Sequence, residues 1–147
     1  PRCHGAAHSE EGLVITAARR ADLPWLHDSD VEVFGAEAWS DSTWETTLAT
    51  SSVWLADQCG FCVMRPAGDV CDLDRIAVLP QHRRAGVGAE LLQAALDRSM
   101  QPRVLLEVRR DNVGAIGLYE RFGFTTIDVR AGYYLDGADA LVMEWVR

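Results

Sequence analysis

From Asp74 to Gly88 the chain reads Asp-Arg-Ile-Ala-Val-Leu-Pro-Gln-His-Arg-Arg-Ala-Gly-Val-Gly, a strand pattern entering a turn with two arginines and two glycines and then a helix. The first turn of a helix presents N–H groups with no intrahelical acceptor and a partial positive charge, so it suits an anion. Glycine at 86 and 88 lets phosphate oxygens approach the backbone closely, and Arg83 and Arg84 add fixed charge. A tight turn with solvated arginines is the plainer reading of this segment taken alone. A dinucleotide fingerprint is excluded, because its third glycine would fall at Leu91. Further along, Glu107 sits in the apolar run Leu105-Leu106-Glu107-Val108, where a carboxylate is expensive unless it has a task or a partner. Its structural alternative is a salt bridge with Arg109, Arg110 or Arg75. Asp72 and Asp74 share a strand face with Ile76 and Val78 by the two-residue period.

These residues need a scaffold, and the periodicities supply one. Leu13 to Ala17 reads as a short strand. Ala21 to Phe34 reads as a helix with Asp22 as N-cap and Pro24 in its first turn. An aromatic loop, Glu37-Ala38-Trp39-Ser40, leads to a second helix from Ser42 to about Ala49. Strands follow at Val53–Ala56, Phe61–Arg65 and Val70–Val78, broken by turn-forming residues. Val87, Leu91, Leu92, Ala95 and Leu96 mark a helix from about Gly86 to Met100, stopped by Pro102. Val104–Val108 is a strand, and Asn112 caps a helix through Ile116 and Tyr119 that ends near Gly123. Thr125–Val129 and Ala140–Val146 complete the strands. Residues 1–12 lack periodicity and read as a disordered or expression-derived terminus, leaving 13–147 as a single domain.

Composition bounds the function. The 147 residues suit one domain that buries about 68–70% of its unfolded surface. There is no apolar run of membrane-spanning length and no signal-peptide order at the start, so a cytoplasmic enzyme or binding module is expected. Twenty-two acidic residues against fourteen basic ones give a net charge of −8, which disfavours nucleic acid as a partner. All fourteen basic residues are arginine, which removes the Walker phosphate loop and Schiff-base chemistry. Cys59 and Cys62 form a Cys-x-x-Cys with no second pair at zinc spacing. Residues three apart on a strand face opposite ways, so core-filling thiols, without metal or disulfide, are the expectation.

Taken together, Arg83-x-x-Gly86-x-Gly88, the strand Leu106-Glu107-Val108-Arg109 and the segment Asn112-Val113-Gly114-Ala115-Ile116-Gly117-Leu118-Tyr119 resemble the GCN5-related N-acetyltransferases (GNAT). Ala38-Trp39-Ser40, Arg75-Ile76-Ala77-Val78, Tyr133-Tyr134 and Asp136-Gly137-Ala138-Asp139-Ala140 are similar to the RimI-like branch, which acetylates the N-terminal alanine of a small-subunit ribosomal protein. The resemblance spans about Leu13 to Trp145. It implies an α+β fold, with a mostly antiparallel seven-stranded sheet, a V-shaped splay of two neighbouring strands and flanking helices. It implies acetyl-CoA as co-substrate, no metal, direct attack of an amine on the thioester, and a monomer or weak dimer.

By the same resemblance, Ile76, Ala77 and Val78 contact the pantetheine arm and supply a backbone donor to the thioester carbonyl. Arg83, Arg84, Ala85, Gly86, Val87, Gly88 and Ala89 hold the pyrophosphate, and Asn112 and Tyr119 complete the cofactor site. Glu107 is the implied general base, directly or through water, and Tyr119 the acid that protonates the departing sulfur; a packed helix aromatic is the alternative for Tyr119. Trp39, Asp72, Asp74, Tyr133 and Tyr134 are the implied acceptor site, with core packing the alternative for Trp39. Asp74 stands where RimI-like chains often carry an apolar residue. Gly114 and Gly117 each cost their helix about 1 kcal/mol against alanine and are expected at close-packing positions.

An α-amino group, with a pKa of about 7.7–8.0, is roughly a quarter neutral near pH 7.4, against about one part in a thousand for lysine. That favours an N-terminal acceptor for a glutamate base. A small amine, another peptide, a lysine side chain, or a non-catalytic acyl-CoA-binding module are the competing readings. His82, Arg83 and Arg84 would place positive charge locally for an anionic cofactor, while the remaining acidic field suits a basic protein tail.

Overall fold

The computed structural model describes residues 13–147; the terminus expected over residues 1–12 lies outside the described residues, as does Cys3. Among the described residues seven strands form one sheet: β1 (Ile15–Ala17), β2 (Ser52–Ala56), β3 (Gly60–Ala67), β4 (Val70–Val78), β5 (Arg103–Arg109), β6 (Thr125–Arg130) and β7 (Ala140–Val146). Four α-helices accompany them: α1 (Leu23–Phe34), α2 (Asp41–Thr50), α3 (Val87–Arg98) and α4 (Val113–Arg121). The sheet order is β1-β2-β3-β4-β5-β7-β6. Pairs β1/β2, β2/β3, β5/β7 and β6/β7 are antiparallel, while β4 and β5 run parallel. This is the mixed, mostly antiparallel α+β arrangement expected. No helix among the described residues is long and apolar enough to cross a membrane.

The chain divides into two compact units, one of residues 13–65 with 75–99 and the other of residues 66–74 with 100–147. In the first, α1 and α2 bury Leu26 and Trp44 with Val53, Leu55, Phe61, Val63 and Ala77. Trp44 meets Phe61 edge-on at 5.4 Å, the arrangement that aromatic quadrupoles favour. The apolar stripe of α3, Val87, Leu91, Leu92, Ala95 and Leu96, is buried as its spacing predicts. In the second, Val104, Leu106 and Val108 face inward by strand alternation. Leu106 pairs with Met143, and Val108 with Leu141, on β7.

Several helix starts differ from the sequence expectation. A 3-10 turn at Arg20–Asp22 precedes α1. Asp22 occupies the N-cap position, but its carboxylate accepts from the Arg19 amide at 2.8 Å instead of capping α1. Helix α2 begins at Asp41, one residue before the expected start at Ser42, because Ser40 Oγ accepts from the Thr43 amide at 3.2 Å. Asn112 does cap α4, its Oδ1 accepting from the Ala115 amide at 3.2 Å.

Glycine and cysteine expectations need correction too. A Cβ at Gly114 would meet nothing within 4 Å, and at Gly117 only the end of the Arg121 side chain at 3.7 Å. Crowding therefore explains neither glycine. Gly60 is the crowded one: a Cβ there would stand 2.4 Å from the Ala77 carbonyl oxygen. Cys62 and Cys71 are buried and outside any disulfide, and Cys59 is buried too. It lies in the turn before β3, so strand alternation does not apply to it.

Candidate active site

In the first unit the end of β4 is fastened on both sides of its last residue. Ala77 is buried while Ile76 and Val78 are half-buried on the opposite face. The Leu79 amide donates to the Cys59 carbonyl at 2.9 Å, which anchors β4 where Gly60 allows close approach. A 3-10 turn at Pro80–His82 comes next. Arg83 Nε then donates back to the Val78 carbonyl at 3.0 Å. That bond gives Arg83 a structural task in the turn, and its two terminal nitrogens remain the part of the guanidinium suited to an anion.

The turn reaches α3 through left-handed backbone at Arg84 (φ 66°) and Gly86 (φ 80°). Glycine adopts this conformation without a Cβ penalty, whereas arginine does so at a cost of about 1–2 kcal/mol. Gly86 is the N-cap of α3 and offers no side-chain acceptor. The Glu90 amide reaches the Gly86 carbonyl at 3.0 Å, but the amides of Val87, Gly88 and Ala89 precede the first intrahelical bond. Exposed Arg83, Arg84, Ala85 and Gly86 thus lead into amides aimed along one helix axis. Such a donor set fits a diphosphate.

The same unit holds a polar cluster that sequence reasoning missed. Asp30, on α1, has a fully buried side chain, and Arg75, on β4, is 12% exposed; Arg75 Nη1 is in direct ion-pair contact with Asp30 Oδ1. Asp30 Oδ2 also accepts from the Trp39 amide at 2.7 Å and from Trp44 Nε1 at 3.1 Å. Arg75 Nη2 donates to the Glu37 carbonyl at 3.0 Å. The guanidinium carbon lies 4.1 Å from the Phe34 ring centre and 4.3 Å from that of Trp39. A buried pair is tolerable only when its remaining bonds are satisfied, and removing one partner costs about 3–5 kcal/mol. The signal was present in the spacing: Asp30 lies four residues from both Leu26 and Phe34 on the apolar face of α1, and Arg75 alternates with Leu73 and Ala77.

In the second unit, alternation on β5 places Glu107 on the exposed face, not among its apolar neighbours. Its side chain is one-third exposed, and Oε2 lies 3.1 Å from Nε of Arg130 on β6. The ion pair foreseen with Arg109, Arg110 or Arg75 is thus made with Arg130. Tyr119 is 5% exposed on α4 and packs on Phe124 with ring centres 5.7 Å apart. Asp72 is half-buried and Asp74 exposed, both on the β4 face opposite Cys71 and Leu73. The registered β4/β5 pairs run from Val70↔Arg103 to Leu73↔Leu106, and both strands continue beyond that ladder.

Residues 131–139 link β6 to β7 and carry Tyr133 and Tyr134, whose rings meet edge-on at 5.1 Å. Arg109 staples this loop to β5 through bonds to Asp136 at 2.8 and 3.1 Å, and its guanidinium carbon stands 5.1 Å from the Tyr134 ring centre. Those bonds, then the Ala138 amide, hold the Asp136 carboxyl below its ordinary range; bonding to Asp136 and Asp111 raises Arg109 still further. The Gly132 amide donates to Asp139 Oδ1 at 3.0 Å. Among the described residues no cluster of three or more His, Cys, Asp or Glu is arranged to hold a metal ion.

The model of the acetyltransferase (GNAT) family matches residues 13–124. The N-alpha-acetyltransferase of Sulfurisphaera tokodaii is 46% identical over 72 residues, 46% of this chain and 43% of the relative, so the chain spans less than half that relative's length. N-alpha-acetyltransferase RimI of Mycobacterium tuberculosis is 31% identical, with 90% of this chain and 92% of the relative covered. The bS18-alanine N-acetyltransferase of Escherichia coli is 31% identical over 88% of this chain and 94% of its own. The crystal structure of that Escherichia coli enzyme superposes with a TM-score of 0.81 at 28% identity, covering 90% and 92%.

Proposed function

Because the chain belongs to the acetyltransferase (GNAT) family, we propose that it is an acetyl-CoA-dependent N-terminal acetyltransferase whose acceptor is a ribosomal protein beginning with alanine. The observation that carries this reading is the similarity, in sequence and in fold, to the bS18-alanine enzyme over nearly the whole of both chains.

Acetyl-CoA supplies an activated acetyl thioester. The residues of this chain do the rest. The amides of Val87, Gly88 and Ala89, with Arg83 and Arg84, hold the pyrophosphate at the start of α3. Ile76 and Val78 present backbone groups of β4 to the thioester arm, one of them a donor toward the carbonyl oxygen where negative charge develops. Asn112, besides capping α4, contributes to the same ligand.

Glu107 accepts the proton of the acceptor ammonium, directly or through one water, and its partial exposure gives that proton a route to solvent. Tyr119 delivers a proton to the leaving sulfur, its ring kept in place by Phe124. Trp39, Asp72, Asp74, Tyr133 and Tyr134 form the acceptor side. The carboxylates attract the ammonium, and the aromatics limit what the first side chain can be.

A thiol-release assay with acetyl-CoA tests the reading, using peptides beginning Ala-Arg against lysine-containing peptides with blocked N-termini and against polyamines. Turnover on the alanine peptides is expected. Turnover on the other acceptors alone would replace this reading with a different acceptor class. Tight acetyl-CoA binding without turnover on any of them would make the chain an acyl-CoA-binding module.

A further inference from the structure

The Asp30–Arg75 pair has no part in the proposed chemistry, yet it grips Trp39 in two independent ways. Its carboxylate holds the Trp39 amide at 2.7 Å, and its guanidinium lies against the Trp39 ring at 4.3 Å, with Phe34 on it at 4.1 Å. The same arginine fixes the loop two residues earlier through the Glu37 carbonyl at 3.0 Å. Trp44, whose Nε1 donates to the same carboxylate at 3.1 Å, braces the Trp39 ring at a centroid distance of 5.0 Å. Backbone and ring of Trp39 are therefore both held by one charge pair.

We propose that Arg75, with Asp30, is a positioning residue that makes Trp39 a rigid wall of the acceptor site and thereby sets selectivity for a small first residue. The proposal rests on the reading of Trp39 as part of that site. A pinned indole cannot move aside for a larger first side chain, whereas a tryptophan held only by packing can. Arginine is required because its planar fork both stacks and donates from two edges. Lysine keeps the charge but loses the stacking plane and the fork.

The test compares kcat/KM for two peptides that differ only in beginning with alanine or leucine, together with the KM for acetyl-CoA. Wild-type protein is expected to prefer the alanine peptide. Arg75→Lys keeps Asp30 compensated and is expected to reduce that preference about tenfold, within the range that one pocket contact discriminates, with the acetyl-CoA KM changed less than twofold. Should Arg75→Lys fail to fold, the double variant Asp30→Asn/Arg75→Met, which strands no buried charge, is expected to give the same loss of preference. Trp39→Ala should abolish the preference outright. An unchanged preference in the positioning variants, or an equal fall for both peptides alongside a raised acetyl-CoA KM, would reduce the pair to a fold element and overturn the inference while leaving the proposed reaction standing. Wild-type protein that acetylates neither peptide would overturn the acceptor reading and this inference with it.

Discussion

Arg130 on β6 holds Glu107 on β5 through Nε and Oε2 at 3.1 Å, and its guanidinium carbon stands 6.0 Å from the Tyr133 ring centre. One arginine thus touches both the proposed base and the proposed acceptor loop. The contact engages one carboxylate oxygen, which leaves the other for a proton. Glu107→Gln is expected to lower turnover about 10²-fold or more near neutral pH. The loss should shrink as pH rises and more acceptor amine is already neutral. A pH–rate profile with a constant deficit would remove Glu107 as the base. Because Arg130 is about half exposed, Arg130→Gln should change unfolding free energy by no more than about 1 kcal/mol, measured by urea denaturation.

For Tyr119 the packing on Phe124 separates the hydroxyl's role from the ring's. Tyr119→Phe keeps the ring and removes only the proton donor. Turnover should fall about 10²-fold or more while acetyl-CoA affinity, read by titration calorimetry, stays nearly intact. A large loss of affinity would make the hydroxyl structural.

Two glycines make opposite predictions. Gly60→Ala sets a methyl 2.4 Å from the Ala77 carbonyl oxygen and 3.2 Å from Leu91 Cδ1. Backbone cannot yield as a flexible side chain does, so a loss of about 1–3 kcal/mol is expected. Gly114→Ala meets nothing within 4 Å and should stabilise α4 by about 1 kcal/mol. Chemical denaturation of the two variants side by side checks both signs.

The Asp136 carboxyl is held below its ordinary value by Arg109 and then by the Ala138 amide. A depressed folded-state pKa means that the contribution is complete above the unfolded value, near 3.8, and is lost as pH falls through the folded one. The protection of amides 132–139, taken relative to the intrinsic exchange rate at each pH, should therefore fall on acidification below about pH 4. Asp136→Asn should show fast exchange already at neutral pH and lose this pH response. Raised salt should weaken the wild-type protection, since the pair is solvent-exposed.

Much of the fold was legible because its signals are local. The α3 stripe, the Asn112 cap and the alternation of β4 and β5 each depend on residues within a few positions of one another. Helix starts were less legible: α2 begins at Asp41 and not at Ser42, and the extended backbone that lets Ser40 cap it arises only once the loop before it is folded. Asp22 stands at the N-cap as its spacing predicts, but the 3-10 turn upstream gives its carboxylate the Arg19 amide in place of an α1 amide.

For the candidate site, residue types and spacings determined the anion-suited turn at Arg83–Gly88, the carboxylate at 107 and the tyrosine at 119. A strand-to-helix turn and a capped helix are built from consecutive residues, so sequence alone specifies them. Tertiary structure decided which charges meet. Glu107 is paired with Arg130, 23 positions away, and Asp30 with Arg75, 45 positions away. Periodicity states which face a charge occupies but not which opposite charge the strand order and helix packing bring to it. Likewise the crowding at Gly60, and the open space at Gly114, follow from how closely another backbone approaches, a distance that only the assembled sheet and helices set.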